Sequence, residues 1–460
     1  MTSSTFASLG LPDTFLGTLN QLGYLAMTPI QEQSLPLILE GRDIIAQAKT
    51  GSGKTAAFGL GLIRNLDATR LATQGLVLCP TRELAEQVAQ ELRRLARAIG
   101  NVKILTLCGG TAMRPQTESL RYGAHVVVGT PGRLMDHIDR GNLDLSVVRT
   151  LVLDEADRML DMGFYGDVGH IASVCPEDRQ TLLFSATYAD DIREASAPFL
   201  MAPAEIKVDA LHDASRIAQT FYEIQSEDRL AAVVRILEHF RPASTLAFCN
   251  TKAQCGDLAR ALRAQGYDAL ALHGDLDQRD REDVLIQFAN RSCSILCATD
   301  VAARGLDIQS LDAVINVETT PDPEVHIHRI GRTGRGKETG LAFTLCAPYE
   351  LRRAEQIEAY QGQALTWGAL DRLKRASGEA LRAPMVTLCI QGGKKDKLRP
   401  GDLLGALTKD AGFAFEQIGK IAILDQVCFV ALERRIAGSA YEKLSAGTIK
   451  GRRFKMRFMR

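Results

Sequence analysis

The residues best suited to chemistry in this 460-residue sequence lie in one stretch, Ala48-Lys49-Thr50-Gly51-Ser52-Gly53-Lys54-Thr55. Its glycines let the backbone curl so that successive N–H groups point at a polyphosphate. The segment that follows, Ala56-Ala57-Phe58-Gly59-Leu60, reads as a helix whose positive N-terminal end faces the same phosphates. Lys54 can reach the β- and γ-phosphates of a nucleoside triphosphate, and the Thr55 hydroxyl can join a Mg²⁺ shell. Ala48 stands where glycine is usual in such loops. A second group, Asp154-Glu155-Ala156-Asp157, closes the apolar run Leu151-Val152-Leu153. Carboxylates at the carboxyl end of a buried parallel strand sit where such sheets bind ligands. Asp154 can hold Mg²⁺ through water, and Glu155 can orient and deprotonate an attacking water. ATP and Mg²⁺ are the expected cofactors.

The elements that must position these residues follow from hydrophobic rhythm. The phosphate loop is preceded by the apolar run Asp43-Ile44-Ile45-Ala46. Further runs begin at Gly75, Val102, Val126, Thr150 and Thr181, with amphipathic segments between them. One of these, Arg82 to Ile99, places Leu84, Val88, Leu92, Leu95 and Ile99 at helical spacing. Continuous apolar strands alternating with helices predict a parallel sheet covered on both faces. The rhythm repeats from Thr245 with runs at Ala269, Ser294, Ala313 and Leu341, but without a second phosphate loop. The fold expected is α/β: one lobe over 1–210, a second over 211–375 joined to it through the polar stretch Asp209 to Gln219, a linker over 376–383 and a small α+β module over 384–460. A helical stretch is expected to run to Arg375. In the module the order is β-α-β-β-α-β: Met385–Ile390, Pro400–Asp410, Ile418–Leu424, Val427–Leu432, Ala437–Leu444 and Phe454–Phe458. This is the ferredoxin-like order of RNA-recognition folds.

Lys plus Arg and Asp plus Glu both total 55, but the balance is uneven. From Leu381 to Arg460 there are 16 basic and 7 acidic residues, a net of +9, so the rest of the chain carries −9. A basic terminal module on an acidic body suits a polyanion such as RNA. The ten cysteines lie mostly in apolar runs and form no CxxC pair, which is the usage of a reducing compartment. Met1 to Gly10 lacks a secretion-signal pattern, and no apolar run reaches the ~18 residues of a membrane span. A cytoplasmic protein is expected, with a monomer as the default.

Together with their surroundings, the acidic residues at 154–157 resemble the DEAD-box RNA helicases. The resemblance covers about Phe6 to Cys346, with the family's motifs in order. Phe6, Gly23-Tyr24 and Thr28-Pro29-Ile30-Gln31 are similar to the adenine-reading Q motif. Gln31 offers both an amide donor and an acceptor to the base; Tyr24, where the family more often has Phe, can pack on it. Pro80-Thr81-Arg82-Glu83-Leu84, Gly109-Gly110 and Thr130-Pro131-Gly132-Arg133 resemble the first lobe's RNA-backbone contacts, which suit phosphate and read no sequence. Ser185-Ala186-Thr187 resembles the family's relay between the acidic residues and the second lobe. There, Gln278 and Arg281 match a QxxR motif. In 298–307 the resemblance assigns Thr299 and Arg304 to RNA and Asp307 to the ATP ribose. His328-Arg329-Ile330-Gly331-Arg332-Thr333-Gly334-Arg335 resembles the arginine-bearing motif. The resemblance makes His328, Arg332 and Arg335 part of the catalytic machinery, the two arginines offsetting charge on the transferred phosphoryl group. These arginines lie in the lobe without a phosphate loop, so hydrolysis is expected to require both lobes on one ATP.

The stretches Val386–Asp402 and Ile418–Ile421 resemble the C-terminal RNA-binding domain of the DbpA subfamily. That resemblance implies a hairpin of 23S ribosomal RNA, hairpin 92, as target, and a role in assembly of the large (50S) ribosomal subunit. The aromatic frame of common RNA-recognition sheets is missing around Phe429. Lys394, Lys395, Lys397, Arg452, Arg453, Lys455 and Arg457 are therefore expected to grip phosphates. The reading is an RNA-dependent ATPase that unwinds short RNA duplexes. The alternatives are a helicase with a non-specific RNA tether, or an ATP-regulated RNA clamp or chaperone.

Overall fold

The computed structural model describes residues 5–459 apart from 49–50, 188–189, 209–216, 304–310, 335–338 and 375–379. The expected sites at Lys49, Thr50, Arg304, Asp307 and Arg335 lie outside the described residues.

The first lobe is a seven-stranded sheet in the order β3-β4-β2-β5-β6-β1-β7, parallel throughout. Its strands are β1 (Ile44–Gln47), β2 (Gly75–Leu78), β3 (Ile104–Leu107), β4 (Val126–Gly129), β5 (Thr150–Asp154), β6 (Gln180–Ser185) and β7 (Ala204–Lys207). Period-two alternation divides these strands between two cores. Leu151 and Leu153 pack with Leu76, Leu78 and Leu183 on one face. Val152 packs with Ala46, Val77 and Leu182 on the other. The helix Arg82–Leu95 buries Leu84, Val88, Leu92 and Leu95 of the predicted stripe and tightens into a 3₁₀ turn over Ala96–Ala98, which leaves Ile99 beyond the helix and only partly buried. β7 was not expected. Buried Asp43 ties it in, accepting from Thr181 N and Met201 N, each at 2.7 Å.

The second lobe repeats the plan in the order β10-β11-β9-β12-β13-β8-β14, again parallel. Its strands are β8 (Ile217–Glu223), β9 (Thr245–Cys249), β10 (Ala269–Leu272), β11 (Ile295–Thr299), β12 (Ala313–Asn316), β13 (Gly340–Cys346) and β14 (Trp367–Gly368). Two expectations are corrected here. The polar stretch ending at Gln219 runs into β8 from Ile217, because pairing with β13 at Gly340↔Ile217 satisfies its backbone. The helical stretch towards Arg375 ends at Gln361, since Gly362 adopts φ +63° and the chain turns to pair as β14.

The terminal domain is a four-stranded antiparallel sheet, β16 (Ile418–Ile423), β17 (Cys428–Glu433), β15 (Met385–Ile390) and β18 (Met456–Phe458), in that order. Helical segments Pro400–Gly405, Ala406–Asp410 and Ala437–Ala446 cover one face, where Leu388, Ile390, Val430 and Leu432 form the core. The domain packs on the second lobe. Asp268 accepts from Ala383 N (2.7 Å), Arg434 Nη2 (2.7 Å) and Arg382 Nη1 (3.3 Å), and Asn290 Nδ2 donates to Thr387 Oγ1 (3.1 Å). The end of the expected linker is thus fixed rather than free, with Ala383 only 1% exposed. All ten cysteines are free and buried. No helix among the described residues is long and apolar enough to cross a membrane.

Candidate nucleotide and RNA sites

Strand order in the first lobe separates two sets of residues along one edge. The phosphate loop follows β1, Asp154-Glu155 ends β5 and Ser185-Ala186-Thr187 ends β6; these three strands are neighbours. Pro80-Thr81 follows β2, Gly109-Gly110 follows β3 and Thr130 follows β4; these three are also neighbours. Parallel pairing puts all six carboxyl ends on the edge where such sheets bind ligands.

Lys54 opens the helix Lys54–Arg64, is 6% exposed, and donates from Nζ to Ala48 O at 2.8 Å, holding the ends of the loop together. Gly53 has φ +95°, and a Cβ there would come within 2.5 Å of Gln31 Nε2. Only glycine lets the two motifs meet. Gln31 accepts from Thr28 N (2.9 Å) and donates to Gly53 O (3.1 Å). An amide has two lone pairs and two hydrogens, so one of each stays available to a base. Tyr24 packs edge-on to Phe6 and donates to Glu91 Oε1 at 2.7 Å.

Asp154 and Glu155 are 3% and 4% exposed. Burial pushes the Asp154 carboxyl up to about 7, with Lys54 opposing and Glu155 reinforcing the rise. Its Oδ1 is buried without a hydrogen-bonding partner among the described residues, and such an oxygen fits a hydrated cation. Glu155 sits at φ +54°, a left-handed conformation that costs a non-glycine residue about 1–2 kcal/mol and turns it sharply off the strand. Its Oε2 lies 3.0 Å from Arg158 Nη1, an ion pair without hydrogen-bond alignment. Asp157, which the sequence reading left without a role, joins the neighbouring motif: its N–H donates to Ser185 Oγ (3.3 Å), and Thr187 Oγ1 donates weakly to its Oδ2 (3.5 Å).

On the other set of strand ends, the Arg82 guanidinium lies so close over Gly110 that a Cβ would overlap it, at 1.7 Å. Thr81 caps its helix through Leu84 N (3.3 Å). Arg133 donates to Thr111 O from both Nη atoms (3.1 Å each) and to Gln116 Oε1 (2.9 Å). It therefore shapes the loop after Gly109-Gly110. Gly132 has open space around it.

In the second lobe the missed residue is Arg329. Its side chain is 2% exposed and forms a two-pronged pair with Asp300 (2.8 and 2.7 Å). It also reaches Asn250 Oδ1 (2.8 Å) and Glu318 O (3.3 Å). One guanidinium thus fastens the helix Pro323–Ile330 to segments following β9, β11 and β12. That helix carries half-buried His328 and leads to Arg332, 6% exposed. Arg281 donates to Ala302 O (2.8 Å) and Gln278 to Glu282 (3.1 Å), while Thr299 ends β11 at 8% exposure. An arginine between Ile327 and Ile330 on a short amphipathic helix was the available signal.

In the terminal domain, the turn holding Lys394, Lys395 and Lys397 docks on Leu424 O and Asp425 O. Lys450 reaches Lys397 O (2.7 Å) and Arg452 lies 3.8 Å from Asp396, so the lysine turn and the segment leading to Arg453 and Lys455 adjoin. The sheet face opposite the helices carries Thr387, Cys389, Phe429 and Ala431, all buried, and the second lobe meets it at Thr387.

Known proteins share this arrangement. Residues 28–195 match the DEAD/DEAH box helicase family, 228–337 the helicase conserved C-terminal domain, and 387–458 the DbpA RNA binding domain. The chain is 50% identical over 458 residues to the ATP-dependent RNA helicase DbpA of Escherichia coli (strain K12), covering 99% of this chain and 100% of that one. It is 44% identical over 356 residues to the DEAD-box ATP-dependent RNA helicase CshA of Geobacillus kaustophilus, covering 77% and 76%. Among solved structures, Saccharomyces cerevisiae Dbp5 bound to RNA and ADP BeF3 matches with a TM-score of 0.73 at 28% identity, covering 80% of this chain and 96% of that one. Mss116p bound to ssRNA and AMP-PNP matches with a TM-score of 0.71 at 27% identity, covering 80% of each. The buried acidic strand end beside a phosphate loop, the second lobe and the basic terminal domain place this chain in the DEAD-box ATP-dependent RNA helicases, in the DbpA subfamily.

Proposed function

We propose that this helicase remodels 23S ribosomal RNA near hairpin 92 during assembly of the large ribosomal subunit, working in the cytoplasm. The observation that carries the reading is the terminal domain, which matches the DbpA RNA binding domain and carries a net charge of +9 from Leu381 to Arg460. The lobes' RNA motifs offer hydroxyls, guanidinium groups and backbone N–H to phosphate and sugar, so they grip any strand alike. Selection of the RNA falls to the terminal domain, through Lys394, Lys395, Lys397, Arg452, Arg453 and Lys455.

In the proposed cycle the loop 48–53 cradles the phosphates, and Lys54 meets the β- and γ-groups. Gln31 and Tyr24 hold the base, and Asp307 the ribose. Thr55 and Asp154 would hold Mg²⁺, which supplies charge neutralisation on the phosphates when bound. Glu155 orients the attacking water and takes its proton. Ser185 and Thr187 connect the acidic turn to the RNA-bound state. His328, Arg332 and Arg335 complete the site from the second lobe. Gln278, Arg281, Thr299 and Arg304 hold the strand with Thr81, Arg82, Gly109, Gly110, Thr130, Gly132 and Arg133.

Removing residues 384–460 tests the targeting. The truncated chain should be a weak ATPase that responds about equally to any RNA. A truncated chain that still responds best to the hairpin fragment would place the specificity in the lobes.

A further inference from the structure

Docking of the terminal domain closes a cleft of about 820 Å³ against the second-lobe helices Lys252–Ala264 and Gln278–Ala289. It shares no lining residue with the nucleotide site or with the RNA motifs of the two lobes, and its only residue from the expected phosphate-gripping set of the terminal domain is Arg457. We propose that this cleft binds an unpaired nucleotide of the RNA strand held by the terminal domain, an inference that rests on the RNA-binding reading of that domain.

The lining is mixed in a way that narrows the ligand. Arg263 from the second lobe and Arg457 from the terminal domain are exposed on its walls, so two guanidinium groups from different domains share one opening. Such a pair suits a phosphate. Asp280 and Asp283 also line it, with Asp283 Oδ2 4.0 Å from Arg457 Nη2. Two carboxylates disfavour a bare polyanion, but they accept well from a base amine or a ribose hydroxyl. Tyr441 and Phe458, whose rings are 5.4 Å apart and tilted by 37°, give an apolar wall for a base or sugar. His273 lines the cleft, and its Nδ1 is buried with no hydrogen-bonding partner among the described residues. A buried polar atom of that kind calls for a ligand or water. Anion sites, acceptors and a ring wall in one cleft of small-ligand size describe a nucleotide. A strand is favoured over a free nucleotide because Arg453 and Lys455 precede Arg457 along the same exposed run. Phosphates leaving the cleft would meet them in turn.

The test uses the full chain and two RNAs with the same hairpin, one blunt and one with a single-stranded extension of roughly five nucleotides. The wild-type protein should bind the extended RNA about ten-fold more tightly. Arg263→Glu should erase that advantage while binding the blunt RNA as before, with unchanged RNA-independent ATPase and melting temperature. Arg263→Lys should recover part of it. An extension that adds nothing in the wild type overturns the proposal, as does an Arg263→Glu variant that weakens both RNAs equally. Competition by millimolar adenosine monophosphate with no extension effect would assign the cleft to a free nucleotide instead. A protein that ignores hairpin identity yet gains from the extension keeps the cleft and loses the targeting, so the two readings fail separately.

Discussion

Replacing Asp300 by alanine should destabilise the second lobe strongly, although Asp300 touches neither strand core. Arg329 is 2% exposed and its bidentate partner is Asp300, at 2.8 and 2.7 Å. With the carboxylate gone, the guanidinium keeps neutral partners, Asn250 Oδ1, the carbonyl of Glu318, a long contact to Asn316 Oδ1 (3.5 Å) and the face of Phe248, and no counter-charge among these. Breaking one side of a buried ion pair costs about 3–5 kcal/mol, because the remaining charge stays desolvated. For a lobe of this size each kcal/mol moves the melting temperature by about 2–4 °C, so the second-lobe transition should fall by about 10 °C. Scanning calorimetry of the full chain, with the transitions assigned by ATP and RNA protection, measures this. Asp300→Asn keeps one acceptor and should fall by less. The double variant Asp300→Leu with Arg329→Met removes both charges and should recover much of the loss. RNA-stimulated ATPase should drop with Asp300→Ala at temperatures where the lobe is still folded, since the helix leading to Arg332 loses its fastening. A shift under about 2 °C for Asp300→Ala would refute the reasoning, as the pair would then carry no buried charge cost.

Three further outcomes follow from the same structure. Lys54→Ala should abolish ATP turnover if Lys54 carries the charge proposed to meet the β- and γ-phosphates; near-normal hydrolysis would end the phosphate-loop assignment. Glu155→Gln should keep ATP and RNA binding but stop hydrolysis, because an amide takes no proton; unimpaired single-turnover chemistry would contradict it. His326 is buried against Phe221, and burial, aided by Arg329, holds its imidazole down to about 3 from 6.5. Below pH 6.5 the unfolded chain takes up a proton that the folded lobe refuses, so this group makes stability fall as the pH drops from about 6.5 towards 3. A His326→Gln variant should lack that component of the acid slope; an identical slope in urea titrations would assign it elsewhere.

The parts legible in the sequence were those with a strong local signature. Strands such as Thr150–Asp154 are buried on both faces, so they read as unbroken apolar runs between helices. β7, β8 and β14 lie at or near sheet edges, carry exposed side chains and are short or mixed in pattern, so nothing local marked them. The terminal domain's order was readable because its two central strands, Met385–Ile390 and Cys428–Glu433, are short apolar runs set off by charged and glycine-containing segments. The chemical residues were legible by type and spacing, whereas their partners were not. Arg133 has the look of a phosphate contact, and nothing in its spacing shows that it also donates to Thr111 O inside its own lobe. Arg329 reads like its neighbours in the arginine motif, but it is enclosed by Asp300 and Asn250, whose distance in sequence hides the contact. Arg457 looked like part of a basic tail and instead lines a cleft against Asp283. Such partnerships are made by tertiary packing, which leaves no period in the sequence.

The central claim is that the lobes do the work on RNA while the terminal domain chooses it. The direct measurement is the RNA concentration giving half-maximal ATPase of the intact chain, for a 23S fragment carrying hairpin 92 and for a fragment with that hairpin scrambled. The account predicts a much lower value for the intact hairpin, with a preference that survives moderate salt even as both affinities fall through counterion release. Equal values for the two fragments would contradict it and leave a helicase with a non-specific tether.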